Sequence, residues 1–145
     1  MQAVHASIVA AARSAGRDPG AIRLLAVSKT FGPDAVLEAG AGGPGGLGGK
    51  YLQEALDKME AAAVRRPGLA LEWHFIGPIQ SNKTRPIATH FDWVHSVDRE
   101  KVAQRLSQQR PEEFPPLNVC LQVNISGEAS KSGVAPEDAP AVARA

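Results

Sequence analysis

The chain has 145 residues and a net charge of +1, enough for one ordinary domain and without the basic excess of a nucleic-acid surface. Hydrophobic residues make up 43% and charged residues 21%, a globular composition that excludes a disordered chain. No apolar run reaches the ~18 residues of a membrane span, the N-terminus lacks the charged-then-apolar order of a signal peptide, and the single cysteine, Cys120, has no partner for an internal disulfide. A cytoplasmic protein with no nucleic-acid or membrane partner is expected.

The first 15 residues are rich in alanine, with Val4, Ile8, Val9 and Ala12 at helical spacing, and Gly16 is expected to stop that helix. Ile22 to Ser28 reads as a buried strand, and Pro33 suits the first turn of a helix that runs to Ala39. Residues 40–49 contain seven glycines. No regular core element is expected there, because glycine loses the most backbone entropy and brings no side chain to pack. Tyr51 to Arg66 is helical, with Leu52, Ala55, Leu56 and Met59 on one side and Glu54, Asp57 and Glu60 on a solvated face. Then come a strand at Leu71–Ile76, a short helix around Ser81–Thr89, a brief strand at Trp93–Val97, a helix at Arg99–Gln109, a strand at Leu117–Ile125, and the start of a helix at Pro136–Ala145.

Strands alternating with helices imply a parallel sheet. Four strands are counted, or five if the glycine run holds one. A closed eight-stranded barrel typically needs ~250 residues. The expectation is therefore an α/β fold, either a small open sheet or an incomplete TIM-type (β/α) barrel. The second is preferred because the chain stops without a capping glycine, and its second strand would be disrupted by the glycine run.

Three polar groups follow strands, where parallel α/β folds place their active-site rim. The first is Lys29. A free lysine has a pKa of about 10.4, and a half-buried strand end favours the neutral amine that attacks an aldehyde; the plain alternative is a lysine reaching from a strand end to water. The second runs from His74 to Lys83 around Gly77-Pro78, and the third is Asn124 to Glu128 with Lys131; each by itself also reads as an ordinary polar turn. Gly40 to Gly45 fits G-x-G-x-x-G by letter but follows a helix, and Gly49-Lys50 lacks the rest of a phosphate loop. There is no Gly-x-Ser-x-Gly elbow, and His5, His74, His90 and His95 show no metal-ligand spacing.

Leu24–Thr30, Tyr51–Glu54, Trp73–Lys83, His95–Asp98 and Val123–Gly133 together resemble, in order, the motifs of the pyridoxal phosphate homeostasis protein family. The resemblance spans roughly residues 3–145. It implies a fold like the N-terminal barrel of alanine racemase and a single partial domain over 1–145 holding about five βα units. It also implies pyridoxal 5′-phosphate (PLP) held as a Schiff base on Lys29. The cofactor-facing positions it implies are Lys50, His74, Ile76, Gly77, Ser96 and Asn124. The implied role is intracellular PLP homeostasis without catalytic turnover, with no catalytic residue and no metal, and with PLP-dependent apo-enzymes as partners. Alternatives are an amino-acid racemase or decarboxylase, or a fragment that does not bind. Two departures stand out. Leu47-Gly48-Gly49-Lys50-Tyr51 replaces the family's Phe-Gly-Glu-Asn-Tyr, so Lys50 takes the place of an asparagine beside the cofactor. The family's later phosphate-cradling strands have no counterpart here, so weak or absent cofactor binding is expected of the chain as written.

Overall fold

In the computed structural model, which describes residues 2–29, 31–41 and 46–144, each strand is followed by a helix that returns the chain to the next parallel strand. Helix α1 (Gln2–Ser14) ends where Gly16 turns to φ 65°. The Arg17 N–H reaches the Ala12 carbonyl at 2.9 Å and the Gly16 N–H reaches Arg13 at 3.1 Å, the paired closure of a Schellman end. Then follow β1 (Leu25–Val27), α2 (Pro33–Ala41), β2 (Gly46–Gly49), α3 (Leu52–Arg65), β3 (Glu72–Phe75), α4 (Thr84–His90), β4 (Trp93–Val97), α5 (Glu100–Gln109), β5 (Asn118–Leu121) and α6 (Ala139–Arg144).

The five strands form one sheet in the order β1-β2-β3-β4-β5, with every pairing parallel. Right-handed crossovers that always advance in one direction put their helices on one face. The core lies on that face: Leu47, Trp73, Phe75, Val94 and Val97 from the strands meet Val36, Ala55, Ala62, Ile87, Val102 and Leu106 from the helices. The opposite face carries Val27, Gly48, His74 and Trp93, in register with one another from β1 to β4.

The glycine run is where the sequence expectation fails. Residues 42–45, on which the G-x-G-x-x-G match partly falls, lie outside the described residues, as does Thr30. But Gly46–Gly49 is a strand, buried throughout, in the middle of the sheet. It is not disrupted: it pairs with β1 on one side and β3 on the other. Glycine weakens an isolated strand, yet ladders on both sides supply hydrogen bonds that its intrinsic preference does not. Small size is also required. A Cβ on Gly46 would lie 2.1 Å from His74 Nε2, and one on Gly49 would lie 2.8 Å from the Cβ of Ala55. Leu47, 2% exposed, is the one side chain the strand sends into the core.

Candidate functional site at the strand exits

Because all five strands run the same way, their C-terminal ends share one rim. Lys29 leaves β1, Lys50 leaves β2, Ile76 and Gly77 leave β3, Ser96 is the next-to-last residue of β4, and Asn124 follows β5.

Lys29 occupies a turn closed by the Phe31 N–H donating to the Ser28 carbonyl at 3.1 Å. That same carbonyl accepts from Nζ of Lys58, a buried lysine on α3 that also pairs with Glu54 at 2.5 Å. Glu54 is therefore half-buried and engaged, not part of a solvated face. Lys29 itself is exposed, and β1 is only partly covered. The half-buried strand end expected for this amine is not found: among the described residues β1 lies at the edge of the sheet, paired with β2 alone.

Around β3 the backbones come very close. The Ile76 N–H donates to the Gly49 carbonyl at 3.0 Å, and a Cβ on Gly77 would fall 1.9 Å from the Lys50 carbonyl oxygen. Ser96 Oγ donates to the Gly77 carbonyl, so Ser96 braces the rim and spends its hydroxyl there. Asn124 is likewise occupied: its side-chain amide donates to the carbonyls of Glu128 and Lys131 at 3.0 and 3.3 Å, and its Oδ1 accepts from the Gly127 N–H at 3.1 Å. It folds its own loop.

His74 points to the face opposite the helices. Its Nε2 meets Glu72 at 2.8 Å, its Nδ1 meets His95 Nε2 at 2.9 Å, and Arg23 closes on Glu72 at 2.6 Å. The Trp93 ring stacks parallel to His74 at 5.7 Å. Burial works against the Glu72 carboxylate, but hydrogen bonds from His74 and Arg23 outweigh it and hold the group below its ordinary value. Burial, then the neighbouring His74, push His95 below the usual histidine range. The His–His hydrogen bond needs one acceptor nitrogen, so a doubly protonated pair breaks it. Lys50, expected beside a cofactor, lines a different space: a cavity on the helix side bounded also by Lys83, Phe75 and Ile87.

Sequence reasoning missed Lys58 and the Arg23–Glu72–His74–His95 chain. Lys58 could have been found, since it falls on the same helical stripe as Ala55 and Ala62 and four residues after Glu54. The chain as a whole could not: Glu72 and His74 share one face of β3, but Arg23 reaches Glu72 from 49 residues away and His95 joins His74 only once β3 and β4 pair.

The family model described as "Alanine racemase, N-terminal domain" matches residues 2–145. The chain belongs to the alanine racemase N-terminal domain family. Within that family it is similar to the pyridoxal phosphate homeostasis protein of Pseudomonas aeruginosa, 66% identical over 142 residues, covering 98% of this chain and 60% of that protein. A solved structure of an unknown protein from Bifidobacterium adolescentis matches with a TM-score of 0.85 at 33% identity, over 99% of this chain and 60% of that one. PipY of Synechococcus elongatus, solved with PLP bound, matches with a TM-score of 0.73 at 36% identity, over 97% of this chain and 62% of PipY. The chain thus spans about 60% of the length of the relatives it matches. These similarities bear out the resemblance to the pyridoxal phosphate homeostasis family.

Proposed function

We propose that residues 1–145 form one domain, the first five β/α units of a PLP-binding barrel, and that it serves intracellular PLP homeostasis by holding the cofactor on Lys29 without turnover. The sequential, all-parallel strand order supports the barrel reading. The observation that carries the function is the position of Lys29: an exposed amine on the turn leaving β1, at the strand-exit rim, in a chain similar to a protein solved with PLP bound.

The residues present fit the aldehyde end of the cofactor. When bound, PLP supplies an aldehyde that condenses reversibly with a primary amine. Lys29 offers that amine, and Lys58 fixes the turn beneath it through the Ser28 carbonyl. Gly77 and Ile76 present backbone and an apolar side chain at the rim, while Ser96 and Asn124 act as braces for the loops around it. Both ring nitrogens of His74 are engaged by Glu72 and His95, which favours holding over proton transfer at that side chain. A cytoplasmic setting and PLP-dependent apo-enzymes as recipients are part of the same proposal; no described helix is long and apolar enough to cross a membrane.

The test is reductive trapping, which records the site even at partial occupancy. The chain is incubated with PLP, reduced with borohydride and mapped by mass spectrometry. The expected result is a pyridoxyl label on Lys29 that disappears in Lys29→Ala. A label spread over other lysines and unchanged in Lys29→Ala would overturn the assignment. Amino-acid racemisation or decarboxylation that depends on Lys29 would favour the enzyme reading instead.

A further inference from the structure

The cavity beside the rim holds about 320 Å³, at the small end of the range for ligand sites. It opens between the start of α3 and the segment leading into α4. Phe75 and Ile87 form an apolar floor, and Lys50 and Lys83 stand in its wall with Gln80 and Tyr51. Its lining holds two cations and no carboxylate. Neither lysine forms an ion pair among the described residues. The recorded contact of Lys50 is with an aromatic face: its Nζ lies 5.8 Å from the centroid of the Tyr51 ring.

We propose that this cavity is a non-covalent site for a small organic phosphate monoester with an apolar body. A phosphate monoester carries a charge near −2 at neutral pH, roughly −1.5 to −2, which matches two ammonium groups better than a carboxylate does. Lysine binds such a group as a point charge without a fixed fork geometry. Tyr51, 59% exposed, and Pro78 beside it account for the body of the ligand, since a bare anion would leave them uncovered while Phe75 and Ile87 beneath are already buried. The site is separate from the Lys29 amine: Phe75 and Ile87 belong to the helix-side core, whereas the amine stands at the end of β1.

Phenyl phosphate is the probe, because it has no aldehyde and cannot react with an amine. Binding to the full 145-residue chain is followed by calorimetry and by amide NMR shifts, with inorganic phosphate and benzoate in parallel. Phenyl phosphate is expected to bind about tenfold tighter than either. Lys50→Gln and Lys83→Gln should each weaken it about fivefold or more, with shifts centred on residues 50–53 and 80–87. Lys101→Gln on α5 controls for net charge and should leave binding unchanged, as should Lys29→Ala, so failure here and failure at Lys29 are read separately. Equal binding of inorganic phosphate, or insensitivity to both Lys50→Gln and Lys83→Gln, would overturn the proposal.

Discussion

Replacing Gly77 by alanine adds one methyl group where the exits of β2 and β3 touch. That carbon would sit 1.9 Å from the Lys50 carbonyl oxygen and 2.9 Å from its carbonyl carbon, whereas ordinary contact begins near 3.4 Å. Both neighbours are backbone, so no rotamer change relieves the overlap. The Gly77 carbonyl is also held by Ser96. The strand ends must part by about 1.5 Å, an overpacking that costs roughly 1–3 kcal/mol. Parting them also breaks the Ile76–Gly49 hydrogen bond, worth about 1 kcal/mol more. With a urea slope of roughly 1–3 kcal/mol per molar, the unfolding midpoint should fall by about 1 M or more. Gly68→Ala is the control, since a Cβ there meets nothing within 4 Å. A Gly77→Ala midpoint as close to wild type as that of Gly68→Ala would refute the reasoning.

Two further outcomes follow from the charged groups. Lys58→Met keeps most of the buried volume but takes from the Ser28 carbonyl one of its two donors, the other being the Phe31 N–H, and leaves Glu54 without its partner. It should cost about 1–3 kcal/mol in chemical denaturation, and less accessible trapping of Lys29 should accompany it. Stability should also fall on acidification, in two stages. His95 is held below its ordinary value of 6.5, so its contribution is complete above that pH. It is lost as the unfolded chain takes up a proton that the folded chain resists. Glu72, held below 4.5, adds a second loss as pH falls from that value through its lower folded one. His95→Asn should remove the first stage from the urea midpoint plotted against pH; an unchanged profile would show that the His74–His95 contact does not set it.

Local signals wrote much of this fold into the sequence. Trp93–Val97 is a strand at the residues expected of it, because its alternation and its flanking turn agree. Gly16 ends α1 as expected, since the closing turn needs a positive φ. Boundaries moved where pairing set them. Ile22–Leu24 look like strand, but β1 spans three residues, Leu25–Val27, paired with Gly46–Gly48. Leu117–Ile125 shortens likewise: after Leu121 the chain leaves the ladder, and Val123 bridges only to Val134. The glycine strand was illegible because composition speaks for the isolated segment, while two neighbouring ladders decide its state. At the site, the rim positions of Lys29, Gly77 and Asn124 were readable from the strand ends. Their engagements were not, since Lys58 reaches Ser28 across 30 residues and His74 meets His95 only through sheet register.

The strand order has a consequence for how the molecule comes into being. Each described strand after the first hydrogen-bonds to the one made just before it, so on the ribosome each of these pairings needs only the next strand to be made. Each pairing still spans a whole crossover, Leu25 to Gly46 and Gly46 to Glu72, so every step closes a loop before its ladder forms, which is slow for parallel strands. Synthesis can therefore lay these strands down one crossover at a time, with Ala26 available to Leu47 before Trp73, the partner of Leu47 on β3, has been translated.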